Sequence, residues 1–240
     1  MNSISVGKEI GIITKRELKS FFVSPIAYIV IGIFLLVSGV IFFPSFFAVG
    51  LAEMRGLFAM FPLYLSFTIP AIAMRVFAEE KRSGTYEVML TMPLRSGAIV
   101  GGKILAVFIS SAAMVAVTII YPLSIAPLGH FDFGPLAGGY LGTFLLALSF
   151  SAIGVFASSL TKNQIVAFMV ALLINLFLSL LHYFLIFISS TAVDLFQYLS
   201  VDYHFSFISK GLIDSRSLIY FLSIAAIFYF LTVRIVEERR

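Results

Sequence analysis

Arg75-Val-Phe-Ala-Glu-Glu-Lys-Arg-Ser-Gly-Thr-Tyr-Glu-Val-Met-Leu-Thr-Met-Pro-Leu-Arg-Ser-Gly97 is a charged island between two apolar runs, 57–76 and 99–127. Crossing about 30 Å of hydrocarbon at 1.5 Å per residue takes roughly 20 apolar residues, and both runs meet that length. Working outward, four more runs qualify, at about 25–47, 136–160, 164–189 and 217–235. Composition agrees. Of 240 residues, 60% are hydrophobic and 12% charged, with a mean hydropathy of +1.08, whereas a soluble domain is about a quarter charged. Lipid has no partner for a free backbone N–H or C=O, so spans of this length are helices. The expected fold is therefore all-α: a single polytopic domain over 1–240 with six transmembrane helices. Pro62, Pro70, Pro122 and Pro127 are expected to kink them, since proline removes a ladder donor.

Charge gives the orientation. The side that bears the 75–97 island also bears Lys8, Lys15, Arg16, Lys19, Lys103, Lys162, Arg234, Arg239 and Arg240, thirteen basic residues in all. The opposite side has only Arg55, Lys210 and Arg216, together with Glu53, Asp132, Asp194, Asp202 and Asp214. Basic loops stay inside, which predicts both termini in the cytoplasm. A net charge of +4, dispersed as it is, is no nucleic-acid footprint. With zero cysteines there are no disulfides and no thiolate metal sites. Residues 1–24 carry too many charges for a cleavable leader and read as the approach to an uncleaved signal-anchor.

Within the island, Glu79, Glu80, Lys81 and Arg82 extend the second span out of the membrane, and Ser83-Gly84 breaks it. Thr85 is expected to cap a short helix through Leu90, with Pro93 ending it. Tyr86, Met89 and Leu90 give that helix an apolar face, which calls for a groove on another protein or for the lipid surface. Residues 5–24 form an amphipathic pattern, with Ile10, Ile13, Leu18, Phe21 and Phe22 against Lys15, Arg16 and Lys19, expected along the inner leaflet. On the outer side, 190–216 has room for one or two interfacial helices (Leu195, Phe196, Leu199; Phe205, Phe207, Ile208).

Polar groups inside the spans are few. Asn175, Ser179 and His182 share a stripe of the fifth span at i, i+4 and i+7, either lining a path or bonding helix to helix. Gly138 and Gly142 are a small-xxx-small pair suited to close packing. Asp202 and His204 lack a third ligand and make no metal site. The sequence has no phosphate-binding loop, no nucleophile–base set and no paired carboxylates with catalytic spacing, so no catalytic residue and no enzymatic activity is expected of this chain.

The island and several other stretches resemble the permease subunits of type-2 ABC exporters. They are similar above all to the branch with gliding-motility-associated permeases and the copper-processing permease of nitrous oxide reductase maturation. The matching pieces are Glu17-Leu-Lys-Ser-Phe-Phe-Val-Ser-Pro-Ile-Ala-Tyr28, Met74 through Pro93 with Gly102-Lys103, Ser158-Ser-Leu-Thr-Lys-Asn-Gln164, and His204-Phe-Ser-Phe-Ile-Ser-Lys-Gly-Leu-Ile-Asp214. The resemblance implies a permease half that pairs with a second permease and two copies of a separate ABC ATPase subunit, with room for an auxiliary membrane protein. This chain would bind no cofactor; ATP and magnesium would sit on the ATPase. Its coupling helix would map onto Glu79, Glu80, Lys81, Arg82, Gly84, Thr85, Glu87, Leu90 and Pro93 in segment 79–95. The N-terminal amphipathic helix and the Thr161–Gln164 turn would be further contacts. Glu79, Glu80 and Glu87 would meet basic groups of the ATPase, with Gly84 and Pro93 as joints of a lever. Tyr86 departs from the aliphatic residue expected there. A channel or secondary carrier would need intramembrane charges or a filter loop, and the sequence offers neither. A scaffold or assembly module for a surface machine such as gliding or secretion stays open. The substrate is not encoded in any motif.

Overall fold

The computed structural model describes residues 5–49, 54–125, 133–184, 196–212 and 214–239. Glu53, Pro127, Asp132, 185–189, Asp194 and Leu195 lie outside them. The described residues are almost wholly helical and contain no strand. In chain order the helices are α1 (Val6–Val23), α2 (Pro25–Val49), α3 (Arg55–Ala73), α4 (Arg75–Ser83), α5 (Thr85–Thr91), α6 (Ser96–Val117), α7 (Ile120–Ile125), α8 (Phe133–Leu160) and α9 (Gln164–Phe184). They are followed by α10, helical over 196–199, α11 (Val201–Ser209) and α12 (Ser215–Glu238). Among the described residues, six stretches are long and apolar enough to cross a membrane: Pro25–Pro44, Arg55–Ser83, Ser96–Ser124, Phe133–Leu160, Gln164–Phe184 and Ser215–Glu238. The chain is a multi-pass membrane protein.

α8 is the axis of the bundle. Its most apolar window is 72% buried inside the protein, against 17% for α12 and 22% for α2, and α3, α6, α9, α11 and α12 all pack on it. Its inward positions are small (Gly138, Gly139, Gly142, Ala147, Ser151, Gly154, Ala157 and Ser158), which lets neighbouring backbones come close where no hydrophobic drive separates helix from lipid. The outward faces of α2 (Tyr28, Ile29, Ile33, Leu36, Val40) and α9 (Ile165, Leu173, Phe177) are apolar and exposed, as lipid-facing surfaces should be.

Three expectations change in detail. The outer segment does not simply lie on the interface: α11 is sunk into the bundle, with Val201, His204, Phe205 and Ile208 buried. The Gly138/Gly142 pair receives it, since a Cβ on Gly138 would strike the Ile208 carbonyl oxygen and one on Gly142 would lie 3.3 Å from Phe205. The amphipathic α1 likewise docks on α6. Ile13 packs over Gly102, the Thr14 hydroxyl donates to the Gly102 carbonyl at 3.1 Å, and Ile12 and Val23 are left facing outward. The third span breaks at Thr118–Ile119, where Pro122 cannot donate to the Thr118 carbonyl four residues back, and resumes as α7.

Candidate functional site at the basic end

The second span bends at Met74 and continues as α4. A bend frees backbone donors of the next turn, and Ser158 of α8 takes them. Its Oγ accepts from Phe77 N at 3.0 Å and Ala78 N at 3.1 Å while donating to the Met74 carbonyl at 2.8 Å. One turn on, the Lys81 ammonium donates to the Ser159 carbonyl. The root of α4 is therefore held against the end of α8 at two points, and Phe77 and Ala78 are fully buried.

On its other side α4 enters a charge network. Lys103, seven residues into α6 and wholly inaccessible, donates to the Val76 carbonyl at 2.7 Å and to Glu17 Oε1 at 3.1 Å. It faces Glu80 Oε2 at 2.8 Å as an ion pair rather than an aligned hydrogen bond. Its ammonium also lies 4.7 Å above the Phe77 ring. Arg16 closes the ring from the surface, 2.6 Å from Glu17 and 2.8 Å from Glu80. Two cations and two anions thus join α1, α4 and α6 with no net charge. Burial pushes the Glu17 carboxyl up, but the charges of Lys103 and Arg16 outweigh it and hold Glu17 below the usual glutamate value.

Gly84 then reverses the chain at φ +79°, the left-handed region that a Cβ disfavours. α5 starts at Thr85 itself rather than after it. Gly84 holds the cap position, and the Thr85 hydroxyl pairs with Ser83 Oγ at 2.9 Å. The apolar face of α5 is not free. Tyr86 and Met89 are buried in this chain, Tyr86 edge-on to Phe77 with Lys81 5.0 Å above its ring, and Leu90 packs half-buried beside them. The aromatic departure at Tyr86 follows from that packing. The exposed face is Arg82, Thr85, Glu87, Val88, Thr91, Met92 and Pro93. Glu79 is also exposed and pairs with Arg75 at 3.1 Å, which in turn donates to Ser24 at 2.8 Å.

The predicted site residues therefore divide. Glu79, Arg82, Gly84, Thr85, Glu87 and Pro93 face out, whereas Glu80 and Lys81 are turned into the protein and Leu90 is partly covered. Glu80 is committed to Lys103 and Arg16 and is not available to a partner. Of the fifth-span stripe, Ser179 shares a 3.0 Å hydrogen bond with Ser66 and donates to the Pro62 carbonyl at 3.3 Å. Asn175 is buried with both side-chain atoms unpartnered, and His182 is exposed at the far end of α9, so the three do not form one lining. His204 spends both ring nitrogens, 3.1 Å from Ser217 Oγ and 2.9 Å from the Tyr198 carbonyl. Among the described residues no group of three metal-ligating side chains converges. In the Thr161–Gln164 turn, Asn163 caps α9 by accepting from Ile165 N at 2.9 Å.

Lys103, Glu17, Arg16 and Ser158 carry the architecture of the site; sequence reasoning counted Arg16 and Lys103 as basic residues of this side and foresaw none of the contacts these four make. One signal was there. A lysine inside an apolar span is costly unless paired, and Lys103 stands four positions past the start of the 99–127 run.

Residues 54–234 match the family model described as ABC-2 family transporter protein, which takes in three-quarters of the chain and the whole of α3–α11. No curated protein matches the chain.

Proposed function

We propose that this chain, which belongs to the ABC-2 family of transporter proteins, receives the stroke of its ABC ATPase partner on the exposed face of α5. It is the permease component of an ABC transporter. The proposal adds orientation and mechanics. The basic end faces the cytoplasm of a bacterial inner membrane, with both termini inside, because thirteen of sixteen basic residues gather there. Two ATPase copies, carrying ATP and magnesium, act on a pair of permeases in an exporter of unidentified substrate that serves the assembly of surface machinery for gliding or secretion.

The observation that carries this reading is the contrast along 76–93. The root of α4 is buried and tied to three other helices, while Arg82 at its end and Thr85, Glu87, Val88, Thr91 and Met92 beyond Gly84 are exposed. Val88 is 59% exposed beside the exposed Glu87, an apolar group next to an anion. A partner groove with a basic rim fits it. Closure of the ATPases would press on α5, and α4 would pass the load to α1, α6 and α8 together.

The test is Glu87→Arg with Val88→Asp, co-expressed with the ABC ATPase partner. Co-purification of the ATPase and its stimulation by the permease should drop at least tenfold, with membrane insertion and thermal midpoint unchanged. ATPase capture and stimulation at the parental level would overturn the assignment of α5 as the contact.

A further inference from the structure

Beside α5, on the side turned away from Glu79 and Arg16, a cleft of about 180 Å³ opens between α5, the α8–α9 turn and the end of α12. Lys81, Lys162 and Arg239 line it, with Tyr86, Glu87 and Leu90. These three cations come from three separate parts of the chain, and none is within ion-pair distance of a carboxylate among the described residues, Glu87 included. Like charges brought together without a counterion repel each other, so such a cleft is complete only when an anion enters it. A second feature points the same way. The Tyr86 hydroxyl is buried, belongs to a residue lining this cleft and has no hydrogen-bond partner, an unfavourable arrangement unless a ligand accepts from it. Lys81 gives one hydrogen to the Ser159 carbonyl and has two left.

The position of the cleft selects the anion. Lys162 sits in the short connection between the ends of α8 and α9, and Arg239 directly follows α12. Both are therefore at span ends, where headgroups lie. The side chains flanking Lys162 along the chain, Leu160 and Ile165, are 44% and 71% exposed, apolar groups suited to lipid contact at this end of the spans. Basic pockets between transmembrane helices on the cytoplasmic side suit phosphate-bearing headgroups. We infer that the cleft of Lys81, Tyr86, Lys162 and Arg239 binds the headgroup phosphate of an anionic lipid, which props α5 against the ends of α8 and α12. The inference takes from the preceding section only that this end faces the inner leaflet. Lipid retention and ATPase stimulation are separate readouts, so either reading can fail alone.

The experiment uses the full chain in phosphatidylcholine nanodiscs with and without phosphatidic acid, and reads retained phosphatidic acid per chain by native mass spectrometry. Lys162→Gln with Arg239→Gln should weaken retention about thirtyfold, as two interfacial cations are removed. Tyr86→Phe changes no charge and should still weaken it about tenfold, since the hydroxyl donates to a charged oxygen. In phosphatidylcholine alone Tyr86→Phe should be as stable as the parent or more so, which shows that it folds. Equal retention by Tyr86→Phe and the parent would reduce the cleft to diffuse surface charge and overturn the inference. So would inorganic phosphate alone raising the thermal midpoint in neutral nanodiscs as far as phosphatidic acid does, because the occupant would then be a free ion.

Discussion

Replacing Lys103 with methionine tests the charge network at its centre. Methionine keeps most of the stem volume and removes only the ammonium, which is fully buried and touches Glu17 at 3.1 Å, Glu80 at 2.8 Å and the Val76 carbonyl at 2.7 Å. Taking one partner from a buried pair costs about 3–5 kcal/mol, because the partner left behind remains charged and desolvated. Here two carboxylates are left, which repel each other. Arg16 still faces both from the surface and their side chains are 15% and 19% exposed, so the loss belongs at the lower end, about 3 kcal/mol. Glu80→Gln alone should cost about 1–2 kcal/mol, since it leaves one cation in excess but within reach of Glu17. The double variant keeps the neutral Arg16–Glu17 pair, and its loss should fall short of the sum of the singles by about 1–2 kcal/mol. Unfolding free energies in mixed detergent micelles measure all three, with exposed Arg82→Met as a silent control. A Lys103→Met loss under about 1 kcal/mol, or additivity within about 0.5 kcal/mol, would refute the claim that these residues act as one buried network.

Two further outcomes follow from the same geometry. Glu17 is held below the usual glutamate value of 4.5 by Lys103 and Arg16. Its contribution is therefore complete above that pH and is lost as pH falls through the folded-state value. An unfolding series from neutral to acidic pH should show stability falling below about 4.5, and Glu17→Gln should flatten that part of the curve. Gly138→Ala puts a methyl group onto the Ile208 carbonyl oxygen, where backbone rather than a flexible side-chain tip must move. It should cost about 1–3 kcal/mol, while Gly142→Ala, with 3.2–3.3 Å to side-chain atoms, should cost less; relative thermal midpoints in detergent check the order.

The spans were legible because the bilayer imposes a length and a composition that six segments satisfy and no loop does. The break at Gly84 and the bend before Pro122 were legible because each follows from one residue's backbone chemistry. What could not be read was which surface covers which. The pattern of Tyr86, Met89 and Leu90 says that one face of α5 is apolar, and it is silent on whether that face meets a partner or its own α4. The pattern at Gly138 and Gly142 says that something approaches closely, without naming α11. Lys103 is the sharpest case. It counted as one more basic residue of a loop, yet its partners Glu17 and Val76 lie 86 and 27 positions away, a separation no local periodicity can encode.

The network also bears on how a push at α5 would travel. α5 itself is held by two buried side chains, Tyr86 and Met89, each giving about 1.5–3 kcal/mol at most, and Gly84 beside it, at φ +79° with open space around it, would serve as a backbone hinge. α4 is held by Ser158 on the freed donors of the bend, by Lys81 on the Ser159 carbonyl, and by the four-charge ring. A load large enough to displace α4 alone would have to break all three, stranding buried donors and charges. Moving α1, α6 and α8 along with α4 breaks none of them. The lower-cost response to a strong push is therefore concerted tilting of four elements about the lipid-facing outer helices, with slack for weaker contacts taken up at Gly84. On this argument the buried charges serve to keep those helices in register during the stroke, and their value lies less in the stability they add than in the wrong motion they make costly.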